Sequence, residues 1–481
     1  MKKLLIKYHS LKVQQRAMLW YTFANILIKS IALLSTPIFT RLMTTGEYGT
    51  FTIFQSWLNI LIIISSLNMF QGGYTKGILK YKDDVDGYTS SSLALTMLIT
   101  IGWSIVYVFF TKQLNAFFGL SSVLMIIMFF NLLVMPAFEF WAAKLRFEYK
   151  YREFVFASII ISFSSVLLGI ILVVLCKSKV EARALADLIA RLVICGWIIF
   201  NIYSRGKCLY EKQYWMFNLK FNIPLIPHFL AFYILNQSDR IMISKMVGNT
   251  QAAYYSVAYT ISMMMNLIIN ALNNALTPYI YISINDKKEK EIQSSTAPLY
   301  FLITLLCIIT MVFAPEIITI FAGHRYADAV YVVPPIAASV YFIFVYSMFS
   351  TIEYYYQKTA KIALATSISA ILNLVLNVYF IKIFGYYAAG YTTLFSYMML
   401  AMIHYIFYRA IVNSKLGKNV SIFNMKIIIG CSVLVLAVMV FMLSVYKYIL
   451  IRYSIIVICI IGIAFNYDKL KKMIALFKAN R

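Results

Sequence analysis

Residues 17–40 read Ala17-Met-Leu-Trp-Tyr-Thr-Phe-Ala-Asn-Ile-Leu-Ile-Lys29-Ser-Ile-Ala-Leu-Leu-Ser-Thr-Pro-Ile-Phe-Thr40. A single charge, Lys29, stands in this run, and Arg16 and Arg41 bound it. A helix that crosses the hydrocarbon core of a bilayer needs about 20 predominantly apolar residues. The run therefore predicts a spanning helix. After Arg41 the chain turns through a short polar segment and enters a second apolar run at 48–70. The same alternation continues outward along the whole chain. It predicts helices at 17–40, 48–70, 89–110, 121–143, 154–176, 182–203, 222–246, 252–282, 296–320, 327–350, 362–381, 387–408, 424–446 and 448–466. Lys447 and Arg452 interrupt the last pair. No segment alternates as a membrane strand does, so a β-barrel is excluded. The fold class is an all-α polytopic membrane protein with about fourteen spans.

Composition agrees. Of 481 residues, 62% are hydrophobic and 13% charged, whereas a soluble domain carries roughly 25% charged residues. Mean hydropathy is +0.79. Lipid is the solvent for most of this surface, and the loops are too short for an extramembrane catalytic domain. The 43 Lys+Arg against 18 Asp+Glu give a formal charge of +25. These charges lie between apolar runs, where they set topology and meet anionic headgroups; nucleic acid is not implied. Cys176, Cys195, Cys208, Cys307, Cys431 and Cys459 form no CxxC pair, and the four histidines are scattered. Neither metal nor cofactor is expected. The basic start, Met1 to Arg16, leads into a full-length apolar run without a small-residue cleavage site, which reads as a first helix and not a signal peptide.

With a cytoplasmic N-terminus, the inner segments hold 29 Lys and Arg and the outer segments 11. This bias predicts both termini in the cytoplasm and an even helix count. An internal repeat is also present. Thr40-Arg41-Leu42-Met43, followed by Tyr48-Gly49-Thr50-Phe51, is echoed by Ser244-Lys245-Met246-Val247, followed by Tyr254-Tyr255-Ser256-Val257. Lys177 is matched by Lys382, and Arg152 by Lys361. The expected organisation is a six-helix lobe at 1–204, a second at 205–411 related by a pseudo-twofold along the membrane normal, and two further helices with a basic tail at 412–481.

Pro37-Ile-Phe-Thr-Arg-Leu-Met-Thr-Thr-Gly-Glu-Tyr-Gly49 resembles the P-x-x-x-R-x-x-x-x-x-E-x-G junction of bacterial oligosaccharide flippases, members of the multidrug, oligosaccharidyl-lipid and polysaccharide exporter superfamily. Leu235 to Gly248 is similar to that family's seventh helix, and Ala271 to Pro278 to the end of its eighth. The resemblance covers about 410 residues, all but the last two helices. It implies movement of undecaprenyl-diphosphate-linked repeat units from the cytoplasmic to the outer leaflet, in O-antigen, capsule or exopolysaccharide assembly. The polymerase and other assembly proteins would be partners.

Such a substrate has an anionic diphosphate, polar sugars and a lipid tail, so its site is a wet, cationic lumen inside apolar walls. Ionisable residues within spans are costly and usually face such a cavity. Lys29 lies near the bilayer midplane and leads the diphosphate candidates, with Arg191, Arg240 and Lys245. Arg183, Asp187 and Arg191 recur at i, i+4 and i+8, which equally suits a self-paired stripe. Gln55 and Asn59, and Asn266 and Asn270, put polar faces on helices two and eight. They are read as lumen groups. Asn373 and Asn377 are read rather as interhelical glue. Asp187, Asp239, Glu139 and Glu353 are candidates for ion coupling, against the plainer reading as interface charges; Glu316 is a weaker one. Pro37, Pro136, Pro224, Pro227, Pro334 and Pro335 are candidate hinges. An ion-coupled multidrug antiporter calls for a more acidic cavity, above all in the first helix, which offers Lys29 and no acid. A polymerase or ligase of lipid-linked sugars resembles a chain with a long outer loop carrying reactive groups, which is absent here. Two matched halves with buried charges argue against a mere scaffold.

Overall fold

A computed structural model describes residues 12–71, 73–417 and 420–454. The expected last helix, 448–466, and the basic tail lie largely outside the described residues, as does Cys459. Twelve helical stretches are long and apolar enough to span a membrane among the described residues. By packing the chain divides into two compact units, Met1–Ala253 and Tyr254–Arg481.

The first unit contains α1 (Val13–Leu42), α2 (Thr45–Ser66), α3 (Gly73–Lys80), α4 (Val85–Phe109), α5 (Thr111–Phe118), α6 (Ser122–Phe147), α7 (Tyr151–Leu175), α8 (Lys179–Gly206), α9 (Lys212–Asn222) and α10 (Ile226–Met246). Helix α8 packs on α7, α6 and α4, and α1 lies on α7. Helix α10 packs on α2. It occupies the position of the expected seventh span. Asn236, Gln237, Ser238, Asp239 and Arg240 follow one another in it, and it is not among the twelve apolar stretches. The short α3 and α9 form where the sequence reading placed only loops.

The α1–α2 junction shows why its residues recur in that pattern. Pro37 sits inside α1, and its carbonyl accepts from Arg41 Nη1 at 2.8 Å. Lys179 Nζ donates to Leu42 O at 2.7 Å, satisfying a terminal carbonyl of α1. Thr44 then caps α2. Its Oγ1 accepts from Glu47 N at 3.2 Å while Glu47 Oε2 accepts from Thr44 N at 2.7 Å, a reciprocal capping box. A Cβ on Gly49 would run into the backbone carbonyl of Asn249. Asn249 in turn donates from Nδ2 to Thr50 Oγ1 at 2.9 Å and accepts from Ser244 Oγ at 2.6 Å. The motif is thus a piece of joinery: a helix end, a cap and a close backbone approach.

The second unit contains most of α11 (Asn249–Met263), then α12 (Asn266–Asn285), α13 (Glu289–Val312), α14 (Ala314–Ala322), α15 (Val333–Tyr355), α16 (Thr359–Phe384), α17 (Tyr387–Lys415) and α18 (Met425–Val445). The expected eighth helix is broken at Met264–Met265, where α12 starts anew at Asn266. Helix α15 is the most deeply buried, packed against α17, α13 and α18. Arg452, 2% exposed, reaches Glu316 on α14 through two hydrogen bonds of 2.8 and 2.9 Å and holds the chain after α18 against this unit.

Candidate substrate lumen and its charged groups

Helix α1 has three faces. Ala17, Ala24 and Phe39 are buried, on the side packed against α7, where Trp20 stacks on Tyr151 and Tyr21 meets Phe154. Leu19, Phe23, Ile26 and Leu34 are exposed and apolar. At about 100° per residue, Thr22, Asn25, Lys29, Ala32 and Thr36 fall on a third stripe about 80° wide, which also carries the exposed Met18 near its start and is buried at Thr36. Lys29 is exposed on that stripe. Among the described residues no carboxylate lies within ion-pairing distance of it. The lysine belongs to a largely polar strip, and Leu19, Phe23, Ile26 and Leu34 point elsewhere.

The stripe of acid and base on α8 resolves into a pair and a separate arginine. Arg183 Nη1 and Asp187 Oδ1 are 2.5 Å apart and nearly buried. Asp187 also accepts from Gln55 Nε2 at 2.9 Å and from Ser165 Oγ. The Arg183 guanidinium lies over the rings of Phe39 and Phe51, with centroids at 4.3 and 4.9 Å. Helices α1, α2, α7 and α8 therefore meet on one desolvated ion pair. Arg240, 9% exposed, donates to Gln237 Oε1 at 2.7 Å and Asn236 O at 3.2 Å. It and Arg183 both act electrostatically on Tyr48. Asp239 beside it is buried.

Arg191 is half-buried. It lies within electrostatic reach of Glu139 on α6, as does Arg146, and the Glu139 carboxylate also acts electrostatically on Tyr233 of α10. Glu139 is thus a half-buried acid in the field of arginines on its own helix and on α8. Lys245 is exposed and lies 4.3 Å from the Phe117 ring centroid and 5.8 Å from that of Trp57. Asn59, one turn past Gln55, is half-buried with no side-chain partner among the described residues.

In the second unit, Asn266 donates to Met263 Sδ at 3.1 Å, and its Oδ1 is buried without a partner among the described residues. Asn270 and Asn274 are exposed. Asn273 accepts from Ser347 Oγ at 3.2 Å. A polar face on α12 is therefore present, beginning at the helix break. Asn377 bonds Asn373 at 3.2 Å and accepts from Thr392 Oγ1 across α16 and α17, an interhelical polar contact. Glu353 on α15 is fully buried, with Oε1 at 2.8 Å from Nδ1 of His404 on α17. Its Oε2 has no partner among the described residues. Tyr346 stacks on the imidazole at 5.6 Å.

With this arrangement in view, the comparisons decide the family. A profile described as "Polysaccharide biosynthesis protein" matches residues 15–283, more than half of the chain. The chain belongs to the polysaccharide biosynthesis protein family. A second profile, MatE, matches residues 224–379. A curated relative from Haloferax volcanii, "Probable low-salt glycan biosynthesis flippase Agl15", is 23% identical over 388 residues, covering 79% of this chain and 80% of its own. Among solved structures, "Lipid II flippase MurJ, inward closed conformation" has a TM-score of 0.71 at 16% identity, covering 94% of this chain and all of that one. An inward-facing multidrug resistance MATE family transporter of the MOP superfamily has a TM-score of 0.67 at 14% identity, covering 82% and 96%. These structural likenesses show the fold, and the twelve apolar helices among the described residues make this family member a multi-pass membrane protein.

Several members of these clusters escaped the sequence reading. Ser165 and the rings of Phe39 and Phe51 complete the Asp187–Arg183 site, and His404 partners Glu353. Ordinary residue types in apolar runs gave no local signal for them. The i, i+4 spacing of Arg183 and Asp187 did signal their pairing.

Proposed function

We propose that this protein is a flippase for lipid-linked glycan. It carries an oligosaccharide repeat unit on undecaprenyl diphosphate from the cytoplasmic to the outer leaflet of a bacterial cytoplasmic membrane, with both termini in the cytoplasm. The product feeds O-antigen, capsule or exopolysaccharide assembly. The process is transport by alternating access, in which the two sequence repeats, 1–204 and 205–411, act as the alternating halves.

Family membership supports the glycan-export class. The observation that carries the cationic-lumen mechanism is Lys29, exposed on the polar stripe of α1 without a carboxylate partner among the described residues. An ammonium deep in a span needs compensation, and an anionic diphosphate supplies it. Arg191 and Lys245 extend the cationic set, while Arg240 is held by Gln237. Gln55 serves Asp187, which leaves Asn59, Asn266 and Asn270 as the better candidates for sugar hydroxyls. Of the carboxylates considered for coupling, Glu353 is favoured, since its second oxygen is buried and unpartnered and His404 stands beside the first.

The test is a deletion strain. Lipid-linked repeat units are expected to accumulate on the cytoplasmic leaflet while their synthesis continues. A strain that makes no repeat unit, or that exports single units without polymerising them, would point to an enzyme of the pathway instead.

A further inference from the structure

Helix α9 turns amides inward and lysines outward. Its asparagines face the protein: Asn218 and Asn222 are buried. Asn218 accepts from Tyr88 Oη at 2.6 Å and donates to Ser92 Oγ at 2.8 Å. Trp215 Nε1 donates to Ser91 O at 3.1 Å. These bonds dock α9 on α4. Met216 and, just past the helix, Ile223 are exposed, as is Leu79 on the neighbouring α3. Within the helix, Lys212, Gln213 and Lys220 are exposed beside Met216, so its outer side mixes cations with apolar groups, as suits a helix at a membrane surface.

Between α3 and α9 lies a groove of about 550 Å³, lined by Lys80, Tyr81, Lys212, Met216, Phe217 and Lys220 among others. The Lys80 ammonium is 4.8 Å from the Phe217 ring centroid and 4.9 Å from that of Tyr81. Lys76 stands 4.7 Å from the Phe221 ring. Among the described residues none of these lysines has an ion-pair partner. Of the nearby acids, Asp84 and Glu211 are engaged by helix caps, Asp84 also by Tyr214 Oη at 2.8 Å, and the exposed Asp83 forms an ion pair with none of these lysines. The groove therefore combines unneutralised cations, an aromatic floor and an apolar border.

We propose that this groove binds the phosphate of an anionic phospholipid headgroup, with Lys80, Lys212 and Lys220 around the phosphate and the exposed Leu79, Met216 and Ile223 along the acyl chains. The apolar border selects lipid over a soluble phosphate. The binding anchors α9, the segment between α8 and α10, to the membrane surface. The assignment does not depend on which substrate the protein transports.

Native mass spectrometry of the purified full-length protein, titrated with phosphatidylglycerol or phosphatidylcholine, tests it. The wild type is expected to retain phosphatidylglycerol preferentially, with retention falling as ionic strength rises. The combined variant Lys80→Gln, Lys212→Gln, Lys220→Gln is expected to lose that preference several-fold, and the corresponding three arginine substitutions to keep it. A control carrying Lys112→Gln, Lys177→Gln and Lys382→Gln is expected to behave as wild type. Equal retention of the two lipids by the wild type, or undiminished preference in the glutamine variant, would overturn the proposal. Displacement of the lipid by inorganic phosphate, but not by chloride at matched ionic strength, would make the groove a soluble-phosphate site and overturn it as well. If the glutamine variant does not fold, the three single variants and the salt dependence decide.

Discussion

Arg183 and Asp187, one turn apart on α8, form an ion pair 2.5 Å long whose side chains are 7% and 10% exposed. The pair is clamped by residues from three other helices: Phe39 and Phe51 over the guanidinium, Gln55 and Ser165 on the carboxylate. Removing one partner of a buried pair strands the other, at a cost of about 3–5 kcal/mol. Asp187→Asn is therefore expected to lower the unfolding midpoint of the purified protein sharply. Unchanged stability with lost transport would instead make Asp187 a coupling residue.

The junction makes a graded prediction. Thr44→Ala removes a helix cap and is expected to cost about 1 kcal/mol. Gly49→Ala places a methyl group against the Asn249 carbonyl, where backbone meets backbone and neither side yields easily. Its effect on folded yield and thermal stability is expected to exceed that of the cap. The reverse order would mean that the close approach relaxes freely.

These two sites show what a single sequence discloses. The helices were legible because apolar runs of spanning length are local, and the junction because its Pro, Arg and Glu serve contacts within a short stretch; Gly49, by contrast, meets Asn249 from far along the chain. The long-range pairings were not. Gln55 meets Asp187 across 132 positions, and Glu353 meets His404 across 51, and no periodicity relates such residues. Helix α9 is hidden in the sequence because it is short and docks through Asn218 and Asn222, so the usual apolar stripe is absent; α3 is hidden because it spans only eight residues and two of its four buried positions are glycines. The break at Met264–Met265 falls in a continuous apolar run without Pro or Gly, the ordinary signals of interruption.

Glu316 gives a pH prediction. Burial raises its carboxyl pKa, but the bonds from Arg452 and Tyr453 outweigh this, and the net position lies below the usual carboxylate range. A depressed folded-state pKa adds stability above the unfolded value, which is lost as pH falls through the folded one. Wild type is thus expected to be more stable than Glu316→Gln at neutral pH. The difference is expected to shrink on acidification through and below the carboxylate range. A constant difference across that range would contradict the pairing.

Glu353→Gln keeps the shape and a hydrogen-bonding oxygen toward His404. If Glu353 binds the coupling proton, the variant folds but its transport no longer responds to a proton gradient, as read in proteoliposomes with and without a protonophore. A retained response would leave Glu353–His404 as a packing contact between α15 and α17.

The central claim is that Lys29 meets the substrate diphosphate. A diphosphate needs positive charge at this place but not a particular fork of donors. The decisive measurement is surface glycan, normalised to membrane-inserted protein, for Lys29→Arg and Lys29→Ala. Lys29→Arg is expected to keep partial activity, and Lys29→Ala to abolish surface glycan at an unchanged protein level. Full activity in Lys29→Ala, or a fall in glycan that merely follows a fall in protein, would contradict it.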